Sequence, residues 1–260
     1  MESLDYHTAR ALLDWQIELG ADECIGDTGI DRYALPDRLS KAKTAQKDAA
    51  PHLTKGPVAA VAVDAVAEAQ RLAQAAQNLD QLRAAMEAFD LCDLKRGARN
   101  MVFSDGIAGA PVMIIGEAPG RNEDRTGTPF VGAAGQLLDA MLGAIGMGRS
   151  HAEAPVYITN TLPWRPPHNR DPKPEEIAMM KPFLLRHVEL ADPKVLVIMG
   201  NWACHALLAK KGITRLRGTW VEAVDKRALP MCHPSYLLRN PAAKREAWAD
   251  LLMLKAAVGK

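Results

Sequence analysis

The chain has 260 residues, of which 48% are apolar, 24% charged and 5% aromatic. These are the proportions of one large or two small folded domains, not of a fibrous or wholly disordered protein. No apolar run reaches the ~18 residues of a membrane helix, and Met1–Arg10 mixes charges without an apolar stretch, so neither anchor nor leader is expected and the chain is assigned to the cytoplasm. Net charge is only +1, yet residues 160–245 hold 15 Lys and Arg against 7 Asp and Glu, a segregation that suits either a face for a polyanion or a solvated charge cluster.

Residues 5–20 place Leu12, Trp15 and Leu19 at helical spacing, with Gly20 as a C-cap. Residues 26–57 mix Gly, Pro, Asp, Lys and Thr without a period, the pattern of a linker. Residues 58–76 are Ala-rich with a weak helical period. Asn78, three residues before Gln81, signals the start of a helix with the apolar stripe Leu79, Leu82, Met86 and Phe89. From residue 110 short apolar runs alternate with helices. Strands are predicted at 111–116, 156–159, 194–200 and 228–232, and helices at 135–146 and 174–190, the second opened by Pro174. Asn201 is read as the cap of a further helix. Pro241 is read as the start of the last one, with Trp248, Leu251 and Leu252 facing inward. This alternation argues a parallel sheet covered on both faces, whose ligands bind beyond the carboxyl ends of the strands.

Four segments at such ends carry chemistry. GEAPGRNEDRTGTPFVGAAG (116–135) is Gly-rich but lacks the Lys-Ser/Thr of a phosphate loop. Its acids Glu117, Glu123 and Asp124 disfavour a triphosphate, while Phe130 offers a face to a flat, neutral heterocycle; a Gly-rich turn with capping acids is the plainer alternative. CHPSYLLRN (232–240) sets His233 before a Pro-fixed loop. There Ser235 could hold a phosphate, Tyr236, Leu237 or Leu238 could wedge into a base stack, and Arg239 could bind a backbone; otherwise His233 is a satisfied residue beside a core-packing Leu pair. Asn160 ends a strand with an amide able to donate and accept at once. Arg215 and Arg217 form a phosphate contact or a solvated turn. Cys24, Cys92, Cys204 and Cys232 match no disulfide or zinc framework, and no metal site is read.

Together the motifs GEAPGRNEDRTGTPFVGAAGQLL, YITN, RPPHNRDPKPEE, GITRLRG and HPSYLLRNP, in this order, make the chain resemble the family 4 uracil-DNA glycosylases over about residues 86–255. The resemblance implies a three-layer α/β/α sandwich with a central four-stranded parallel sheet over 86–260; residues 1–85, with a flexible linker near 26–57, lie outside it and are read as an N-terminal helical extension. It implies hydrolysis of the N-glycosidic bond of uracil in DNA, leaving an abasic site. On the matching positions, Phe130 stacks on the extruded uracil, Asn160 reads N3–H and O4, and Glu123 blocks the C5 side. Glu117 with the Ala118–Gly120 backbone lies beside the pyrimidine and the attacking water. His233 donates to O2, and Ser235, Tyr236, Leu237 and Arg239 belong to the DNA-wedging loop; Arg215 and Arg217, from their spacing, are read as contacts to DNA phosphates.

The family's iron–sulfur cluster needs four cysteines. Here Cys92 matches one, while Phe89, Trp164 and Met180 occupy the other three positions. No cluster and no other cofactor is therefore expected. The segment after the first helix of the family's core, GMGRSHAEAP, is short and lacks a basic run, which favours ordinary hydrolysis over crosslinking through a His. The expected partner is uracil-containing DNA, single- or double-stranded, bound by a monomer without a membrane. A damaged-DNA or abasic-site binding protein with weak catalysis, and a glycosylase for another deaminated base, are the alternatives.

Overall fold

The computed structural model describes residues 64–259. The helix expected at 5–20 and the linker at 26–57 lie outside them. Among the described residues no helix is long and apolar enough to cross a membrane.

Two helices come first, α1 (Ala65–Ala75) and α2 (Leu79–Ala88). Asp64 caps α1 by accepting from the amides of Val66 and Ala67, and Asn78 caps α2 by accepting from Gln81 N at 2.9 Å. Both pack against the long helix α6 (Pro174–Ala191), and the Arg186 guanidinium on α6 donates to Ala76 O at 2.8 and 3.0 Å. The domain boundary expected between 85 and 86 thus falls within α2, whose Leu82 and Met86 share a buried cluster with Phe183 and Met180 of α6.

The sheet has six strands, not four. β2 (Val112–Gly116), β3 (Val156–Asn160), β4 (Val195–Met199) and β6 (Lys226–Met231) are the expected parallel strands, side by side in the order β3-β2-β4-β6. Short antiparallel strands close the edges, β1 (Asp105–Gly106) on β3 and β5 (Val221–Ala223) on β6. Alternate residues of each central strand face opposite sides of the sheet. On one side Met113, Ile115, Leu196 and Ile198 pack with Ile177, Leu184 and Val188 of α6 and with α7 (Asn201–Leu208). On the other, Val112, Ile114, Val195 and Val197 pack with Leu138 and Leu142 of α5 (Ala133–Ala144) and Leu251 and Leu254 of α10 (Lys244–Val258). Each such side chain contributes about 1.5–3 kcal/mol, and the result is the expected three-layer α/β/α sandwich.

Helices α3 (Leu94–Gly97), α4 (Arg121–Thr126), α8 (Ile213–Leu216) and α9 (Pro234–Arg239) are short. Two expectations are corrected at the helices. The Asn201 side chain does not cap its own helix; it accepts from the amides of Gly212 and Ile213, both at 2.9 Å, and so fastens the start of α8. The inner face of α10 is Ala247, Asp250, Leu251 and Leu254, whereas Trp248 and Leu252 are 44% and 46% exposed. A fully buried Asp250 takes the place expected of an apolar residue because Arg217 meets it there.

Candidate active site

The carboxyl ends of β2, β3 and β6 open into a pocket of about 370 Å³. It gathers Glu117, Ala118, Gly120, Glu123, Phe130, Asn160, His233, Ser235 and Arg239, all named from the sequence. Asn169, Arg170 and Asp171, which sequence reasoning did not single out, line the same pocket. Arg215, Arg217, Tyr236 and Leu237 do not. Asn160 lies opposite Gly116 in the β2–β3 register, and the two strand ends are tied beyond it by Thr161 N to Gly116 O at 2.9 Å and Leu162 N to Glu117 O at 3.1 Å.

Gly116 is the floor. A Cβ there would collide with Asn160 Oδ1 and come within 2.6 Å of Phe130 Cζ, so only glycine lets both side chains lie over this strand end. The Phe130 ring stacks near the His233 ring, centroids 5.4 Å apart and planes at 28°. The Phe130 backbone is left-handed, with φ 54°, a region that bulky residues rarely adopt without support. That support is visible on both sides. Glu123 Oε1 accepts from Val131 N at 2.9 Å and Gly132 N at 2.8 Å, while its Oε2 accepts from Gly120 N at 3.1 Å. Arg149 donates to Pro129 O at 2.7 Å and Phe130 O at 2.5 Å.

His233 Nδ1 accepts from Ser235 N at 3.2 Å and lies 2.8 Å from Ser235 Oγ. An Nδ1 that accepts leaves the proton of the neutral ring on Nε2. Burial, aided by the Arg239 charge, lowers the His233 pKa to about 4, so the ring is neutral near pH 7. Glu117 follows β2, and its Oε1 accepts from Trp202 N at 2.9 Å, in the first turn of α7. Gly200, with φ 98°, makes room: a Cβ there would strike this carboxylate. Burial raises the Glu117 pKa above the usual carboxylate value and Asp171 adds to the rise, against the lowering by the backbone amides of Trp202 and Asn201. Asp124 stands apart, buried and accepting from Arg99 N at 2.8 Å. The amide of Asn160 makes no side-chain hydrogen bond among the described residues, though the residue is 92% buried, at 8% exposure.

Three predicted DNA contacts are placed otherwise. HPSYLLRN is not a loop but the whole of α9 with its two caps, His233 before it, Pro234 in its first turn and Asn240 after it. Helical phase buries Leu237 in the core, at 1% exposure, and turns Leu238 outward, at 44%. A side chain already packed among core residues is not available as a wedge. Arg217 is likewise engaged: its guanidinium pairs with Asp250 and donates to Glu246 O at 2.7 Å. Ser235 is turned to His233. Arg215 and Arg239 are exposed and make no ion pair among the described residues.

The positions that the resemblance assigns to iron ligands hold residues of another chemistry. Phe89, Cys92, Trp164 and Met180 are each at most 2% exposed and belong to one apolar cluster with Leu82, Phe103 and Phe183. Phe and Trp offer no ligating atom, a thioether does not replace a thiolate, and burial pushes the Cys92 thiol up. These residues do not fit a four-thiolate cluster. Among the described residues no three His, Cys, Asp or Glu side chains are grouped to hold a metal ion.

Glu117, Phe130, Asn160 and His233 all fall within a stretch of the chain that matches a known family. Residues 103–252 match the Uracil DNA glycosylase superfamily, and the chain belongs to that superfamily. Within it, the similarity is to the type-4 uracil-DNA glycosylases. The one from Archaeoglobus fulgidus is 36% identical over 195 residues, covering 71% of this chain and 95% of that protein. The one from Thermotoga maritima is 41% identical over 152 residues, 57% of this chain and 77% of that protein. The one from Sulfurisphaera tokodaii is 35% identical over 178 residues, 65% and 79%.

Proposed function

We propose that the chain is a uracil-DNA glycosylase that hydrolyses the N-glycosidic bond of uracil in DNA and leaves an abasic site. The observation that carries this reading is the convergence on one pocket of an aromatic face, an unpartnered amide and a neutral imidazole whose proton is on Nε2. Uracil presents N3–H beside O4, which one Asn amide answers with one acceptor and one donor. Cytosine presents the reverse pattern, a bare N3 beside an amino donor, so discrimination rests on the Asn160 amide being held in the orientation that answers uracil.

Bond breaking makes the sugar cation-like and the base anion-like, so the useful groups are oriented donors. His233 Nε2–H donates to O2 and gains strength as charge grows there. A neutral donor gives up no proton and needs no reorganisation. Glu117, held by the first turn of α7, accepts a proton from the attacking water. Phe130 holds the base after its extrusion from the helix, which the buried bond requires. Glu123, tied to three backbone amides, is a rigid wall on the C5 side. Arg239 at the pocket edge and Arg215 on the surface bind phosphates. We read the protein as a monomer that accepts uracil in single- or double-stranded DNA in the cytoplasm. It works without a cluster, a reading supported by the apolar packing at the four ligand positions.

Single-turnover release of uracil from matched oligonucleotides tests the reading. His233→Ala is expected to slow release about 10²–10³-fold. Asn160→Asp is expected to weaken uracil excision and to admit cytosine. Near-normal rates in both variants refute this pocket as the reaction centre.

A further inference from the structure

Phe130 is held in an unfavourable backbone conformation by a group outside the pocket. The Arg149 side chain comes from the turn after α5, and the neighbouring Gly148 is anchored to the start of β3, where Val156 N donates to Gly148 O at 3.0 Å. From there the guanidinium reaches four acceptors. It donates to the successive carbonyls of Pro129 and Phe130, and it pairs with Asp105 of β1 at 2.6 Å and Asp139 of α5 at 2.8 Å. Its side chain is only 17% exposed. The planar fork suits this duty, since it offers donors at fixed angles to several partners at once. Gly135 completes the cradle, because a Cβ there would overlap Phe130 O.

We infer that Arg149 is a positioning residue for base capture: it fixes the Phe130 peptide from the carbonyl side while Glu123 fixes the following amides, and so aims the ring over Gly116 beside His233. The inference rests on the proposed stacking role of Phe130, but the positioning itself is separable from it. A ring aimed in advance loses no further freedom when the base arrives. With the carbonyls released, the left-handed Phe130 relaxes and the ring explores other rotamers. Lysine keeps the charge but not the fork, so Arg149→Lys disturbs the aim while the two carboxylates retain a cation.

The chain has four phenylalanines, and all of them, Phe89, Phe103, Phe130 and Phe183, are buried among the described residues. Protein labelled with 4-fluorophenylalanine therefore gives four fluorine resonances, and the Phe130→Leu variant assigns the one of interest. In Arg149→Lys the Phe130 line is expected to shift and broaden, with the other three unmoved. An unchanged Phe130 line, or equal disturbance of all four, overturns the inference. Uracil release supplies the second arm as a double-mutant cycle. Arg149→Lys is expected to slow release about tenfold when Phe130 is present, within the range of base stacking, and less than about twofold in the Phe130→Ala background. Equal losses in the two backgrounds also overturn it. A moved Phe130 line in a protein that releases no uracil supports the positioning and refutes the proposed function instead.

Discussion

Phe89→Ala probes what fills the place of the iron ligands. Phe89 is 2% exposed and meets Phe183 edge-on, ring centroids 5.4 Å apart and planes at 70°. Removing a buried Phe ring costs about 3–5 kcal/mol, the lost transfer energy plus the unfilled cavity, and about 0.5–1.5 kcal/mol of that belongs to the aromatic pair. With a urea m-value of about 2–3 kcal/mol/M, the midpoint is expected to fall by about 1–2 M. Trp164, in the same cluster, reports the transition by its fluorescence. Metal analysis of the wild type, run beside the unfolding curve, is expected to find no iron and no visible absorption band. A loss below about 1 kcal/mol would show that Phe89 is not part of a packed plug. Stoichiometric iron with a charge-transfer band would refute the reasoning altogether.

The arginines divide into two kinds. Arg215→Ala is expected to reduce the slope of log K against log salt for DNA binding by about 0.7–0.9. Arg217→Ala is expected to leave that slope alone and to destabilise the fold by about 3–5 kcal/mol, because it strands a fully buried Asp250; the reverse pattern in salt titrations and denaturation would refute both assignments. The acid side of the kcat/KM profile is expected above pH 4.5, since Glu117 in its proposed role must be ionised to accept a proton and its folded pKa is raised by burial and by Asp171. Rate is therefore lost as pH falls through that raised value, and Asp171→Asn is expected to move the limb to lower pH; no movement excludes Glu117 as the group that titrates.

The four parallel strands were legible because each is a continuous apolar run, as burial on both faces demands. The edge strands were not. β1 has two residues, and β5 turns into β6 through Val224 and Asp225, both left-handed with φ 52° and 54°, without the Asn-Gly signal that such turns usually carry. The pocket side chains Glu117, Phe130, Asn160 and His233 could be named because each sits in a motif at a strand end. The choice between Leu237 and Leu238 needed helical phase. Pro234, favoured in a first helical turn, was a signal for it that the reading as a loop passed over. Arg149 had no local signal at all: its partners lie 10 to 44 residues away, and only the folded chain brings a cation to them. Trp248 misled because the buried face of α10 turns on Asp250, paired with Arg217, together with Ala247, Leu251 and Leu254, and a buried ion pair leaves no mark in a hydrophobic pattern.

The order in which the pocket residues occur along the chain has a kinetic meaning. Glu117 and His233 are 116 positions apart in sequence, and they meet only after β4 has taken β2 on one side and β6 on the other. Contacts of such separation are reached late and slowly, because the loop they close must be ordered before it is rewarded. A nascent chain that has emerged only as far as β4 carries Phe130 and Asn160 and lacks the imidazole. On the proposed roles, such a stretch carries the side chains assigned to holding a base but not the donor assigned to its departure, so the pocket is completed by the last strand in chain order.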